Sequence, residues 1–429
     1  MKKFLTLLTM SLFCMVVAVA HATTKSTAEG DVERGQYVVK AVNCAGCHTF
    51  NAGTYAGGTP FGVAFSPNIT PDKETGIGNY TFEEFDRAVR GGVSKKGFSI
   101  SAMMPPSYTQ MTDADMRDLY AFMMHGLAPI KHEVKPINPE RPFTAERTVT
   151  PFTPTKGEDP VMARGRYLVE VGGHCGFCHT PRTAEGAEKA LWESEGTDFL
   201  SGGGAYKGWI PISLRGDNGE GMARRSVDDL TDYFLTGRND LTAVFGGMTE
   251  IVHMSTQYLT KDDARAMAVF LKSLPAKDPS KKAFKEDPTV AKKLWQGDDS
   301  MVGAAVYVDS CATCHKTDGS GYARFFPELR GNPVVFSENP ISLINITLQG
   351  QTLPAIGSAP SPITMPPFGW RLTDQEIADV VTFIRGSWGN DAPAVTAEEV
   401  TKIRTDTSLF PDPKVFGDAS TDNLLPPHE

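Results

Sequence analysis

Six of the seven cysteines in this chain lie in three copies of one short pattern, Cys-x-x-Cys-His. Two thiols three positions apart can each form a thioether with one vinyl group of a single porphyrin, and the histidine that follows can then coordinate the iron. The three copies are near-equally spaced along the chain, so they predict three covalently bound c-type haems. The predicted haem-binding residues are Cys44, Cys47, His48, Cys175, Cys178, His179, Cys311, Cys314 and His315.

Three other interpretations of these cysteines are weaker. A zinc site needs a second pair of ligands, typically a dozen or two residues away, and no such pair follows any copy. A thioredoxin-like redox pair would lie in a βαβ context and would not need a histidine after each copy. Three identical motifs would also be an unusual disulfide framework for a secreted protein. Haem attachment is therefore the favoured chemistry.

A haem iron with one histidine needs a second axial ligand or an open site, and thioether sulfur raises the reduction potential relative to imidazole. Two loops of the chain align without a gap, so that Met104 and Met365 each lie eight residues before a threonine, Thr112 or Thr373. We therefore predict that Met104 and Met365 ligate the first and third irons. Met103 is the alternative to Met104.

The second copy offers Met248 as its sixth ligand, with Met254 and His253 as alternatives. A single methionine is otherwise often a core-filling residue. Each haem-ligating histidine usually donates its other ring N–H, most often to a backbone carbonyl. We predict that prolines in the loops after the motifs supply these carbonyls, and the candidates are Pro60 or Pro67, Pro211 and Pro327.

The same order of elements recurs around each motif. A leading helix with a glycine and an aromatic residue precedes the motif, a middle helix follows a long loop, and a closing helix begins at a Thr-x-x-acid capping sequence. The closing helices begin at Thr112, Thr260 and Thr373, and each carries a phenylalanine ten residues later. This spacing builds one buried face. We predict an all-α chain of three tandem cytochrome c domains, each a small helical haem-binding domain.

The ends and the charge of the chain indicate an exported protein. A Lys2-Lys3 start, an apolar run and a small-x-small end at Ala22 are typical of a cleaved signal peptide, whose removal changes the formal charge from −9 to −11. This acidity argues against nucleic acid as a partner and against attraction to anionic lipid. The predicted segments are a signal peptide at 1–22, cytochrome c domains at 28–126, 159–275 and 291–390, linkers at 127–158 and 276–290, and a polar tail at 391–429.

Over roughly Asp31 to Asn390, the chain resembles the three-haem cytochrome c subunits of bacterial periplasm-facing alcohol, gluconate, sorbitol and aldehyde dehydrogenases. The resemblance rests on specific stretches of sequence. These are FSPNITPDKETGIG at 65–78, GHCGFCHTPR at 173–182, STQYL at 255–259, MAVFLKSLP at 267–275 and SWGN at 387–390.

This resemblance implies an electron-transfer subunit with no catalytic residues of its own. Such a subunit takes electrons from a dehydrogenase subunit carrying pyrroloquinoline quinone, flavin or molybdopterin, and it delivers them to ubiquinone or a terminal oxidase. It implies a periplasmic protein and leaves peripheral attachment to the inner membrane open. The alternatives are a free-standing periplasmic shuttle and a multihaem peroxidase. A methionine candidate near every motif argues against the open iron site that a peroxidase needs.

Overall fold

The computed structural model describes residues 30–61, 64–100, 104–134 and 146–406. The predicted signal peptide, Met103 and the last 23 positions of the predicted tail, 407–429, lie outside these ranges. The described chain is rich in helix, as predicted. Its described strands form two antiparallel pairs of two residues each, which the all-α prediction did not include. Within the described residues, no helix is both long enough and apolar enough to cross a bilayer.

Each motif lies between a leading helix and a closing helix. The first repeat contains helices Val32–Ala41, Cys44–His48, Phe82–Val89 and Asp113–His125, a 3-10 turn at Pro106–Gln110 and paired strands Pro60–Phe61 and Ala64–Phe65. The second contains helices Pro160–Tyr167, Gly176–His179, Val227–Thr236, Gly247–Met254 and Lys261–Ser273, a π-helical turn at Leu168–Gly172 and 3-10 turns at Glu193–Glu195 and Thr256–Tyr258. The third contains helices Thr289–Trp295, Ala304–Ser310, Ala312–His315, Pro333–Phe336, Ile341–Gln349, Asp374–Arg385 and Ala397–Thr405, and paired strands Gln351–Thr352 and Thr364–Met365.

The leading and closing helices of each repeat cross at a glycine. A Cβ added at this glycine would lie far inside the contact distance of a backbone carbonyl oxygen on the closing helix. The distances would be 1.9 Å at Gly35, 2.0 Å at Gly165 and 2.1 Å at Gly303. Only glycine permits backbones to approach this closely, so the glycines fix where each pair of helices crosses.

The predicted caps of the closing helices are confirmed. Thr112, Thr260 and Thr373 each accept a hydrogen bond from the backbone N–H three residues later, at 3.2, 3.1 and 3.2 Å. These bonds satisfy N–H groups that would otherwise lack a partner at a helix start. The phenylalanines predicted to form the inner face of the closing helices are all buried, namely Phe122, Phe270 and Phe383.

The first and second repeats exchange tyrosine contacts across their interface. Tyr37, on the leading helix of the first repeat, donates its hydroxyl to the Asp263 carboxylate at the start of the second closing helix. Tyr167, on the second leading helix, donates to the Asp115 carboxylate at the start of the first closing helix. Arg164 adds a bidentate ion pair to Asp263, with distances of 2.8 and 2.6 Å. Each leading helix therefore fixes the closing helix of the other repeat as well as its own.

Two segments predicted as a linker and a tail also pack against the repeats. The backbone N–H of Thr150, in the predicted linker, donates to the carbonyl of Thr109 at 3.0 Å. In the predicted polar tail, helix Ala397–Thr405 buries Val400 and Ile403 in the core of the third repeat. Both segments are therefore packed against the repeats that they follow.

Candidate haem sites

Each Cys-x-x-Cys-His motif ends in one short turn of helix. In the second and third motifs, the carbonyls of Cys175 and Cys311 accept hydrogen bonds from the N–H groups of His179 and His315, both at 2.9 Å. Residues separated by three and four positions lie on the same face of a helix. The turn therefore presents both thiols and the imidazole to the same side, as one covalently bound porphyrin requires.

The six described cysteines are unpaired thiols. Burial raises the pKa of Cys44, Cys175 and Cys311 to about 12, so these thiols are protonated at neutral pH. In the described part of the chain, no three histidine, cysteine or acidic side chains converge to form an ion site. None of these six cysteines forms a disulfide, which leaves both thiols of each motif available to one porphyrin.

The three motif histidines are held in the same way. In each case ring nitrogen Nδ1 lies at hydrogen-bonding distance from a backbone carbonyl oxygen in the following loop. These distances are 2.8 Å for His48 to Pro67, 2.8 Å for His179 to Ile212 and 2.9 Å for His315 to Pro327. A carbonyl can only accept, so Nδ1 carries the proton and Nε2 is left to coordinate iron.

The predicted carbonyl acceptors are correct in the first and third repeats and wrong by one residue in the second. Pro67 and Pro327 are confirmed as the acceptors for the first and third histidines, and Pro60 is not the partner. In the second repeat the acceptor is Ile212 rather than the preceding Pro211. Proline restricts the local backbone but does not determine which carbonyl of the loop turns toward the imidazole.

The histidines have the protonation state that an iron ligand needs. Burial lowers the pKa of His48, His179 and His315, which favours the neutral imidazole. The thiol pairs, the fixed tautomer and the neutral ring together fit a c-type haem at each motif.

The predicted sixth ligands are all partly buried. Met104 and Met365 are partly buried against the cores of the first and third repeats. Met248 is partly buried against an apolar cluster that joins the second and third repeats. Met254, its alternative, is 1% exposed and packs in the core cluster of the first repeat. Met248 stays the predicted ligand in the second repeat.

Two of these methionine loops are tethered by arginines from segments that the sequence analysis predicted as a linker and a tail. Arg147, in the predicted linker, donates to the carbonyl oxygens of Met104 at 2.9 Å and Pro105 at 3.3 Å. Arg404, on the helix in the predicted tail, donates to the carbonyl of Leu372 at 2.9 Å, close to the third closing helix. These contacts could not be predicted from the sequence, because an isolated arginine in a connecting segment has no distinctive pattern.

The first two motifs share an electrostatic environment. Burial raises the pKa of Cys47 and of Cys178 to about 11, and the charges of Glu250 and Lys207 act on both thiols. The pKa of Glu250 is itself raised by burial, to about 7. Since these interactions weaken with distance, the two motifs face a common region of the protein.

Comparison with known proteins is consistent with this geometry. The cytochrome c family profile matches residues 32–126 and 300–388. The gluconate 2-dehydrogenase cytochrome c subunit of Pantoea cypripedii is 50% identical over 398 residues, which cover 88% of this chain and 90% of that protein. The cytochrome c subunit of alcohol dehydrogenase (quinone) from Gluconacetobacter polyoxogenes is 46% identical, with coverage of 91% and 88%. The fructose dehydrogenase cytochrome subunit of Gluconobacter japonicus is 31% identical, with coverage of 91% and 86%.

These matches define a class of electron-transfer proteins built from cytochrome c domains. The chain belongs to the family of dehydrogenase cytochrome c subunits. The predicted resemblance is therefore confirmed, and so is the prediction of an electron-transfer subunit rather than a catalytic one.

Proposed function

We propose that the chain binds three covalent c-type haems in three tandem domains, at 28–126, 159–275 and 291–390. Each haem would be attached through the two cysteines of its motif. The axial ligands would be His48 with Met104, His179 with Met248, and His315 with Met365. When bound, each haem supplies a one-electron couple, and histidine–methionine ligation favours the reduced state relative to two histidines.

The observation that carries this proposal is the repeated orientation of the motif histidines. Three separate loops aim a carbonyl at Nδ1 of a motif imidazole, and all three distances lie between 2.8 and 2.9 Å. The protein residues hold the ring through Nδ1 and would leave Nε2 free to coordinate the iron of a bound haem. A structural histidine would not need the same tautomer at all three motifs.

The second haem domain is supported by internal geometry, because the family profile does not match residues 127–299. This region has the same close helix crossing at Gly165 and the same threonine cap at Thr260 as the matched regions. As in the other two repeats, Nδ1 of its motif histidine, His179, faces a backbone carbonyl in the following loop. Three independent features of the repeat therefore recur where the profile does not match.

We further propose that the electron donor is a periplasmic dehydrogenase subunit and that ubiquinone or a terminal oxidase is the acceptor. The relatives named above are subunits of gluconate, alcohol and fructose dehydrogenases, which supports a donor of this class. Covalent haem attachment and the apolar N-terminal segment support a periplasmic location. Peripheral contact with the inner membrane would bring the chain close to either acceptor.

The mature protein should carry three haems per chain. Intact-mass measurement after periplasmic expression with haem maturation checks this directly. Cys311→Ser combined with Cys314→Ser should leave two haems, because it removes both thioethers of one site only. Fully matured native protein with two haems or fewer would contradict the proposed count.

The isolated chain should not oxidise alcohols, sugars or aldehydes, and it should become reduced once a partner dehydrogenase and its substrate are added. Haem absorbance during stopped-flow mixing measures the reduction. The control contains the partner without substrate and should leave the haems oxidised. Turnover of substrate by the isolated chain with a dye acceptor would refute the proposal.

A further inference from the structure

The Met248 loop, residues 246–249 at the start of helix Gly247–Met254, is held by a side chain from the third repeat. The carboxamide oxygen Oε1 of Gln351 accepts a hydrogen bond from the backbone N–H of Gly246 at 2.6 Å. Its nitrogen Nε2 donates to Oγ1 of Thr249 at 2.9 Å. One glutamine therefore holds both sides of Met248, two residues before it and one residue after it.

The backbone of Gln351 is at the same time the strand partner of Met365. Strands Gln351–Thr352 and Thr364–Met365 are antiparallel, and Gln351 pairs directly with Met365. Gly350 precedes this pair at φ +62°, where an added Cβ would lie 2.3 Å from the carbonyl oxygen of Met365. The pairing register is therefore tightly specified, since other residues at position 350 would collide with the strand.

We propose that Gln351 is a positioning residue that links the sixth-ligand loops of the second and third haems. Its side chain orients the Met248 loop, while its backbone orients Met365. This inference rests on the proposed axial ligands, and it adds that ligation of the second iron depends on docking of the third repeat.

The surrounding packing leaves the Met248 loop little freedom to orient itself. Val244 and Val252 pack with Leu353 of the third repeat in one buried cluster. Gly246 has φ +59°, and an added Cβ would lie 2.6 Å from the Trp209 ring. Apolar packing brings the two repeats together without direction, whereas the two hydrogen bonds of Gln351 specify how the loop is turned.

Gln351 holds the Met248 loop in the same way as two arginines hold the loops of Met104 and Met365. Arg147 holds the carbonyls around Met104, and Arg404 holds a carbonyl of the loop after Met365. Arg147 comes from the predicted linker, and Arg404 comes from the helix in the predicted tail. The difference is that Gln351 belongs to another haem-binding repeat, so it couples two sites.

The test compares Gln351→Leu with Met248→Ala in the full-length, fully matured protein. Leucine keeps the bulk of the side chain but removes both hydrogen bonds, and it leaves the backbone pairing with Met365 intact. We expect each variant to lose about one third of the thioether–iron charge-transfer band of the oxidised protein, with the haem content unchanged. Gln375→Leu, at an exposed glutamine of the third closing helix, is the matched control and should retain the full band.

The outcomes separate failure of the inference from failure of the ligand assignment. If Met248→Ala loses the signal and Gln351→Leu keeps it, Gln351 has no positioning role. If Met248→Ala keeps the full signal, Met248 is not a ligand and the positioning inference is lost with it. Gln351→Glu retains the acceptor for the Gly246 N–H and should keep most of the band. An equal loss in the glutamate and leucine variants would overturn the role assigned to that hydrogen bond.

Discussion

Met365→Ala should remove the sixth ligand of the third haem while all three haems stay attached. His315 and both thioethers of this site remain in place, so the haem content should not change. The third iron should become high-spin or bind water, and its potential should fall, because thioether ligation favours the reduced state. The spectrum should lose about one third of the thioether band, since two of the three proposed sites are unaffected.

The control for this change is Met301→Ala in the same repeat. Met301 is also partly buried against the core of the third repeat but lies outside the predicted ligand loop. A buried truncation alone costs a few kcal/mol at most sites, so both variants should lose some stability. Only Met365→Ala should change the spectrum. Survival of the full thioether signal would show that Met365 is a packing residue, and the alignment that assigns Met104 would lose its basis.

Gly165→Ala should destabilise the second repeat severely. In an ordinary helix interior, replacing glycine by alanine stabilises the fold by roughly 0.5–1 kcal/mol. Here the new Cβ would lie 2.0 Å from the carbonyl oxygen of Ala266, a backbone atom that cannot move away cheaply. Overpacking of this kind costs about 1–3 kcal/mol or more. A lower stability of Gly165→Ala therefore indicates a close helix crossing, whereas a higher stability would indicate an ordinary helix interior.

Denaturant unfolding of the matured protein, followed through haem absorbance and helical circular dichroism, measures this effect. The midpoint of the affected transition should fall, and the yield of protein with three haems should decrease. Gly204→Ala is the matched control, because an added Cβ there meets no heavy atom within 4 Å. Higher stability of Gly165→Ala than of the native protein would show that the helices do not cross at this residue.

The tyrosines of the leading helices show how similar sequence positions acquire different roles. Tyr37 and Tyr167 each lie two residues after the crossing glycine, and both bond to a carboxylate of the neighbouring repeat. Tyr307 lies four residues after its glycine and donates instead to the carbonyl of Lys316, within its own repeat, at 2.6 Å. The sequence alone indicated only that an aromatic residue recurs before each motif.

The features that depend on local geometry were predictable from the sequence. The Cys-x-x-Cys-His motifs and the threonine caps each involve residues within one turn of helix. Their residue types are so restricted that the pattern predicts the structure. The same applies to the recurrence of leading, middle and closing helices, because apolar spacing along a helix is itself a local property.

The groups that meet at the candidate haem sites are far apart in the sequence, so their pairing is seen only in the folded chain. The acceptor for His179 is Ile212 rather than Pro211, because the path of a long loop selects the carbonyl that turns inward. The tethers Arg147, Gln351 and Arg404 come from a predicted linker, another repeat and a predicted tail. A backbone carbonyl or N–H can form a hydrogen bond with many types of side chain, so such contacts leave no pattern of residue types in the sequence. Only the packing of the repeats brings the partners together.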